Sequence, residues 1–320
     1  MAALHRWMSE IADNRKLNSF VIPGSHDSGM AENETDTKRF RPASRANACT
    51  QTLNIASQLN AGIRWLDVRL QTYQNVQRCF HSTAYGEPAT QVATAVADFV
   101  RDNPSETVIV LLTKSADDSY PYFLQQLNNA IGPAMFPAIA GGGHENQLSA
   151  LTIGALRGRV VVAMDKPPAN VNVGHGIVRA KLKKYKAEKA LKLSDIATFS
   201  AEDANGKYEY VLNTAGSYSN TNTVATIQQR QQQRAGFVES AVGPCLGVYY
   251  TTNTSPIGLR WESIKAADQG MWQQDQVERW APVAFRKVGG NYPNFSTVMM
   301  DFVSEGRCFF VRDQAESLGV

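Results

Sequence analysis

The feature that most limits the fold of this chain is a series of short, almost unbroken apolar runs rich in β-branched residues. They are SFVI at 19–22, GIRWLDVRL at 62–70, TVIVLL at 107–112, RVVVAM at 159–164, YEYVLN at 208–213, CLGVYY at 245–250 and FSTVMMDFV at 295–303. A strand with one wet face alternates apolar and polar residues. A run with few polar interruptions suits a strand covered on both faces, as in a parallel sheet. Helical patterns lie between the runs. In TQVATAVADFVRDNPSE, the residues Val92, Ala95, Val96, Phe99 and Val100 fall at helix-face spacing, and Pro104 closes the segment. Alternating strands and helices imply a parallel α/β arrangement. Seven or eight strands in 320 residues favour a single TIM-type (β/α) barrel domain over 1–320, with an open doubly wound sheet as the second choice. No GxGxxG or GxxxxGK[ST] run supports a nucleotide fold.

Apolar residues make up 43% of the chain and charged ones 19%, enough for a sizeable core and too little charge for disorder. The net charge of +3 does not point to nucleic acid, but it suits a protein that meets acidic substrates or an anionic surface. No apolar run approaches a membrane span. The opening MAALHRWMSEI lacks the apolar middle of a secretory signal, so either none exists or it has been removed. Cys49, Cys79, Cys245 and Cys308 show no metal-ligand spacing, which argues against zinc. Two disulfides and a set of buried thiols both fit this count. AGGGHENQ at 140–147 and the polar NTNTVATIQQRQQQR at 220–234 read as surface excursions from one domain.

If the chain is a barrel, the polar residues at the C-terminal ends of its strands are the candidates for chemistry. In VIPGSHDSGM, Pro23 and Gly24 break the first strand, Ser28 and Gly29 keep the following loop open, and His26 and Asp27 stand where the strand stops. GIRWLDVRL and the strand-like QRCFHS supply Asp67, Arg69 and His81; Asp67 and Arg69, two apart, share a strand face. LLTK ends in Lys114, and VMMDFV places Asp301 among apolar neighbours. Arg69 and Lys114 suit the oxygens of a phosphate. Two imidazoles with an ordinary pKa of about 6.5 suit one base and one acid for breaking a phosphodiester, with Asp27 and Asp301 to fix their tautomers. Each piece also has a plain structural reading: a packed histidine, an internal Arg69–Asp67 pair, a solvated Lys114. Asp301 is the hardest to dismiss, because a buried carboxylate needs a partner.

IPGSHDSG, GIRWLDVR, the following His81, the NPSETVIVLL run and the late VMMDF strand together resemble the X domain of bacterial phosphatidylinositol-specific phospholipase C (PI-PLC). That resemblance implies a distorted TIM barrel cleaving phosphatidylinositol to diacylglycerol and myo-inositol 1,2-cyclic phosphate. His26 would be the general base and His81 the general acid. Arg69 would bind the phosphate, Asp301 would orient His26, Asp27 would support His81, Asp67 would hold Arg69, and Lys114 would lie beside inositol and phosphate. Calcium-dependent relatives carry Asn beside the first histidine; Asp27 and Arg69 here imply a metal-independent enzyme with no cofactor. Asp165 and Lys166 stand where bacterial relatives have an arginine that contacts inositol, and VRAKLKKYKAEK has no match to their ring-gripping aspartate and tyrosine. The implied partners are phosphatidylinositol at a membrane surface and myo-inositol or its phosphate in the pocket, with no nucleic acid. A secreted, monomeric protein is expected. A catalytically silent inositol-lipid or glycan-anchor binding module and a glycerophosphodiester phosphodiesterase are the competing readings.

For the membrane, HGIVRAKLKKYKAEKALKLSD reads as a helical stretch carrying Arg179, Lys181, Lys183, Lys184, Lys186, Lys189 and Lys192, either a basic face for anionic lipid or a solvated helix. TTNTSPIGLRW at 251–261 offers Ile257, Leu259 and Trp261 to an interface or to the core. SYPYF at 119–123 is expected to line the rim behind Lys114.

Overall fold

The computed structural model describes residues 3–32, 48–132, 148, 151–165, 177–183, 211–215, 219, 221, 223–239, 246–252, 261–285, 287–288, 292–293 and 295–317. Its centre is a closed barrel of parallel strands: β1 (Ile22–Ser25), β2 (Trp65–Val68), β6 (Thr107–Leu112), β7 (Arg159–Asp165), β8 (Ile177–Lys183), β9 (Val211–Ala215), β10 (Leu246–Tyr250) and β13 (Thr297–Met300). Each pairs with the next in chain order, and the ring shuts where Gly24 and Ser25 of β1 meet Trp65 and Leu66 of β2 while β1 also pairs with β13 along Ile22–Ser25. Between β2 and β6 the chain leaves the barrel for a three-stranded antiparallel sheet, β3 (Leu70–Tyr73), β4 (Val76–His81) and β5 (Ala84–Pro88). A short hairpin, β11 (Lys287–Val288) and β12 (Tyr292–Pro293), precedes β13.

Alternation along the strands sorts the core into two layers. Ile109 and Leu111 of β6, Val161 and Ala163 of β7, Trp65 of β2 and Met299 of β13 belong to an inner cluster. Their neighbours Val108, Val110, Leu112, Val160, Val162, Met164, Leu66 and Met300 pack outward under the helices. Helices α1 (Ile55–Asn60), α2 (Ala89–Asp102), α3 (Ser119–Ile131), α4 (Ile153–Leu156), α5 (Val224–Glu239), α6 (Trp261–Met271), α7 (Gln274–Ala284) and α8 (Glu305–Ser317) follow the strands. In α2, Val92, Val96, Phe99 and Val100 are buried as the periodicity predicts, and the Asn103 side chain stops the helix by donating to the Phe99 carbonyl at 2.9 Å. The barrel floor is closed by Trp7 of the 3₁₀ helix Leu4–Glu10 together with Leu17 and Phe20, which join the inner cluster.

Three expectations are corrected. Ile177–Lys183 is not helical: Arg179, Lys181 and Lys183 sit on β8, in register with Val211, Asn213 and Ala215 of β9. The alternation in IVRAKLK is a strand period that the lysine-rich composition hides. Residues 184–192 lie outside the described residues. The 220–234 stretch is no surface excursion, since it enters α5 and buries Ile227 and Gln231 completely. SYPYF starts α3, where Tyr120 and Phe123 pack into the core instead of facing the rim. Lys166, residues 140–147 and 253–260 also fall outside the described residues, and of Asp165 and Trp261 only the backbone is described. Cys49, Cys79 and Cys308 are buried thiols, so disulfides are set aside for these three.

Candidate active site

The barrel strands and the antiparallel sheet deliver the site residues to the C-terminal mouth. His26 and Asp27 follow β1 directly, and Asp301 follows β13, the strand beside it. Asp67 lies on β2, where alternation with outward Leu66 and Val68 turns it inward above Trp65. Arg69 links β2 to β3, and Lys114 follows β6. His81 is the exception to strand-end placement, because it ends β4 in the antiparallel sheet. The chain turns through left-handed backbone at or just after these residues: Asp27 (φ 44°), Ser82 (φ 56°), Lys114 (φ 48°) and Phe302 (φ 46°). Such backbone costs about 1–3 kcal/mol per residue and persists where surroundings impose it, as functional sites do.

The side chains converge. His26 Nδ1 lies 2.9 Å from Asp301 Oδ1, and its Nε2 lies 3.1 Å from Asp27 Oδ2. The same Asp27 oxygen is 3.6 Å from His81 Nε2, while Asp27 Oδ1 takes Arg69 at 3.0 Å. Arg69 also reaches Asp67 Oδ2 at 3.3 Å, and Asp67 Oδ1 accepts from Thr113 Oγ1 at 3.0 Å. Asp27, Asp67, Asp301 and Arg69 are buried, and Lys114 is exposed at the edge. Asp67 and Arg69 thus form the internal ion pair, and that pair lies inside the mouth.

Burial and charge set the protonation of this cluster. Burial alone would lower the pKa of His26, but the facing Asp27 and Asp301 carboxylates carry it to about 9. Burial also lowers His81, with Arg69, His26 and Lys114 adding to it against the pull of Asp27. Asp27 ends below the usual carboxylate range, since Arg69, His26, His81 and Lys114 outweigh its burial. His26, Asp27 and Asp67 present potential ligand atoms within 4.8 Å of one another. The Arg69 guanidinium already binds both carboxylates of that group, so a divalent cation there would have to displace it or share their oxygens.

Several supporting residues escaped the sequence reading. Arg307 donates to the carbonyls of Asp301 and Phe302 at 2.8 and 2.9 Å, meets buried Asp268 at 2.6 Å and lies over the Trp272 ring at 4.9 Å. Burial, helped by Asp301 and opposed by Arg307, pushes the Asp268 carboxyl up to about 8. Gly29 serves close packing rather than an open loop: a Cβ there would come within 2.1 Å of Cys79 Sγ. The GSHDSG run hints at such a contact only through its small residues.

A parallel barrel whose mouth gathers two imidazoles, their carboxylates and a buried guanidinium is equipped for acid–base chemistry on an anion. Residues 24–134, which include every candidate site residue except Asp301, match the PI-PLC X 1 family model. The chain is 30% identical over 127 residues to a 1-phosphatidylinositol phosphodiesterase of Listeria monocytogenes serovar 1/2a, a match covering 39% of this chain and 38% of that protein. It is 26% identical over 113 residues to one of Staphylococcus aureus strain Newman, covering 35% and 34%. The matched stretches therefore span little more than a third of these relatives. In fold, the phosphatidylinositol-specific phospholipase C from L. monocytogenes is similar over 98% of this chain and 99% of its own, with TM-score 0.64 and 19% identity. A solved S. aureus phosphatidylinositol-specific phospholipase C covers 94% and 91%, with TM-score 0.63 and 14% identity.

Proposed function

We propose that this chain is a single-domain, metal-independent phosphatidylinositol-specific phospholipase C, giving diacylglycerol and myo-inositol 1,2-cyclic phosphate. One observation carries this reading: Asp27 Oδ2 is within 3.1 Å of His26 and 3.6 Å of His81, with Arg69 3.0 Å from the other oxygen. A base, an acid and a fixed cation therefore lie within reach of one phosphorus atom. A silent binding module would need the cation but neither of the other two. The curated relatives named 1-phosphatidylinositol phosphodiesterase support the choice of ester.

In this mechanism the phosphate enters against Arg69, with Lys114 beside the inositol ring and Asp67 holding the guanidinium. His26, oriented by Asp301, takes the proton of the 2-hydroxyl. That oxygen bonds to phosphorus as the bond to the diacylglycerol oxygen breaks, and His81, supported by Asp27, protonates the leaving oxygen. His81 then serves as base for water opening the cyclic ester. The guanidinium supplies the charge that calcium would otherwise give. The substrate lies in a bilayer, and among the described residues no helix is long and apolar enough to cross one. On this reading the protein is a secreted monomer that acts peripherally at the membrane surface.

Phosphorus NMR of phosphatidylinositol digestion in EDTA tests the reading. Wild type is expected to give an early cyclic phosphodiester signal, and His26→Ala a rate lower by about two to four orders of magnitude. Direct release of inositol monophosphate, or a need for added calcium, would overturn it.

A further inference from the structure

The paired ladder between β1 and β13 ends at Ser25 and Met300, one residue short of His26 and Asp301. Beyond that rung a buried pair from another part of the chain takes over. Gln51 is completely buried; its Nε2 donates to the carbonyls of His26 at 2.8 Å and Met300 at 3.1 Å, and its Oε1 accepts from Val303 N at 3.0 Å. Thr50 is nearly as buried. Its hydroxyl lies 3.1 Å from the carbonyls of both His26 and Asp27, and its own carbonyl accepts from Phe302 N at 2.7 Å. The two residues thus grip the left-handed turns at Asp27 and Phe302 together, each turn immediately adjoining one partner of the His26–Asp301 pair. The Gln51 amide stands where the next peptide rung would be, carrying a donor and an acceptor as a backbone group does.

We propose that Thr50 and Gln51 are positioning residues, a side-chain splice that extends the β1–β13 ladder and sets the distance between the His26 imidazole and the Asp301 carboxylate. Neither side chain touches the reacting groups. They act on the carbonyls and amides of the residues that bear them, so their loss loosens a 2.9 Å contact between residues 275 positions apart. A displacement on the order of an ångström at such a contact costs roughly a hundredfold in rate. The effect on turnover rests on the phospholipase reading; the effect on the imidazole does not.

Gln51→Met keeps the volume and removes both polar functions. In the free protein, NMR titration of His26, which is faced by Asp27, Asp301, Arg69 and His81, is expected to show a midpoint lower by about one unit than wild type, because the Asp301 contact loosens. With phosphatidylinositol, kcat is expected to fall about 10- to 100-fold with KM within about twofold. Thr50→Val decides the matter if Gln51→Met does not fold, and the same direction of change is expected. An unmoved His26 titration in the folded variants, whatever their loss of thermal stability, would overturn the proposal and leave a brace of the fold only. The titration judges the splice even if wild type proves not to cleave phosphatidylinositol.

Discussion

His26 and His81 face one carboxylate from two sides, and in the neutral range the pair holds a single proton. Burial lowers both imidazoles, yet two carboxylates carry His26 to about 9 while the surrounding cations keep His81 below its ordinary value. The shared proton therefore rests on His26 in the free site, whereas the proposed cleavage starts with it on His81. A singly protonated pair exists only between two titrations. Below the lower one both rings are charged and no base remains; above about 9 neither carries a proton and no acid remains. The kcat/KM of wild type is thus expected to be bell-shaped, with its alkaline limb near 9 set by His26. Asp301→Asn removes one of the two carboxylate charges facing that ring, so the alkaline limb should move to lower pH. A limb that stays in place in this variant would assign it to another group.

At the scale of elements, the site depends on how the β3–β4–β5 sheet seats against the loop after β1. The contact is made by backbone: Glu87 N donates to Gly29 O at 2.9 Å, and a Cβ on Gly86 would come within 2.0 Å of that same oxygen. Neither partner has a flexible side chain that can give way, so Gly86→Ala must move the sheet that carries His81 away from the loop that carries His26. A drop in kcat of about 10- to 100-fold is expected, with a lower melting temperature, measured by steady-state kinetics and thermal unfolding. Near-wild-type turnover would show that the sheet can slide without disturbing its histidine. In the sequence, His81 stands in a strand-like run after the second barrel strand. That the run is the middle of an antiparallel sheet outside the ring depends on pairings such as Leu70 with Cys79 and Phe80 with Tyr85, which no local pattern states.

Over the whole molecule, the candidate site occupies the mouth of the barrel while a buried ion pair secures its floor. Arg64 and Glu106 are fully buried below the barrel, with guanidinium-to-carboxylate contacts of 2.9 and 2.8 Å, and Glu106 also accepts from Met8 N at 3.2 Å. Arg64 lies over the Phe99 ring at 4.4 Å and donates to the carbonyls of Leu59 and Ile63. Glu106→Leu leaves a buried guanidinium without its counter-charge and should cost about 3–5 kcal/mol of stability in urea unfolding. The pH dependence of kcat/KM in the surviving folded protein should not change. A stability loss under about 1 kcal/mol would mean that the pair is hydrated in solution. Burial is decided largely residue by residue along a strand. For that reason TVIVLL at 107–112 could be read as a covered strand, the 90–102 helix from its apolar face, and the barrel class from their alternation. The chemical types at the strand ends, His26, Asp27, Asp67, Arg69, Lys114 and Asp301, were legible for the same reason. The Asp27 bridge between two imidazoles, the Thr50–Gln51 splice and the Arg307–Asp268 support were not. Each joins groups far apart in the chain, and local periodicity carries no record of which distant partner compensates a buried charge or amide; only the packed barrel decides that.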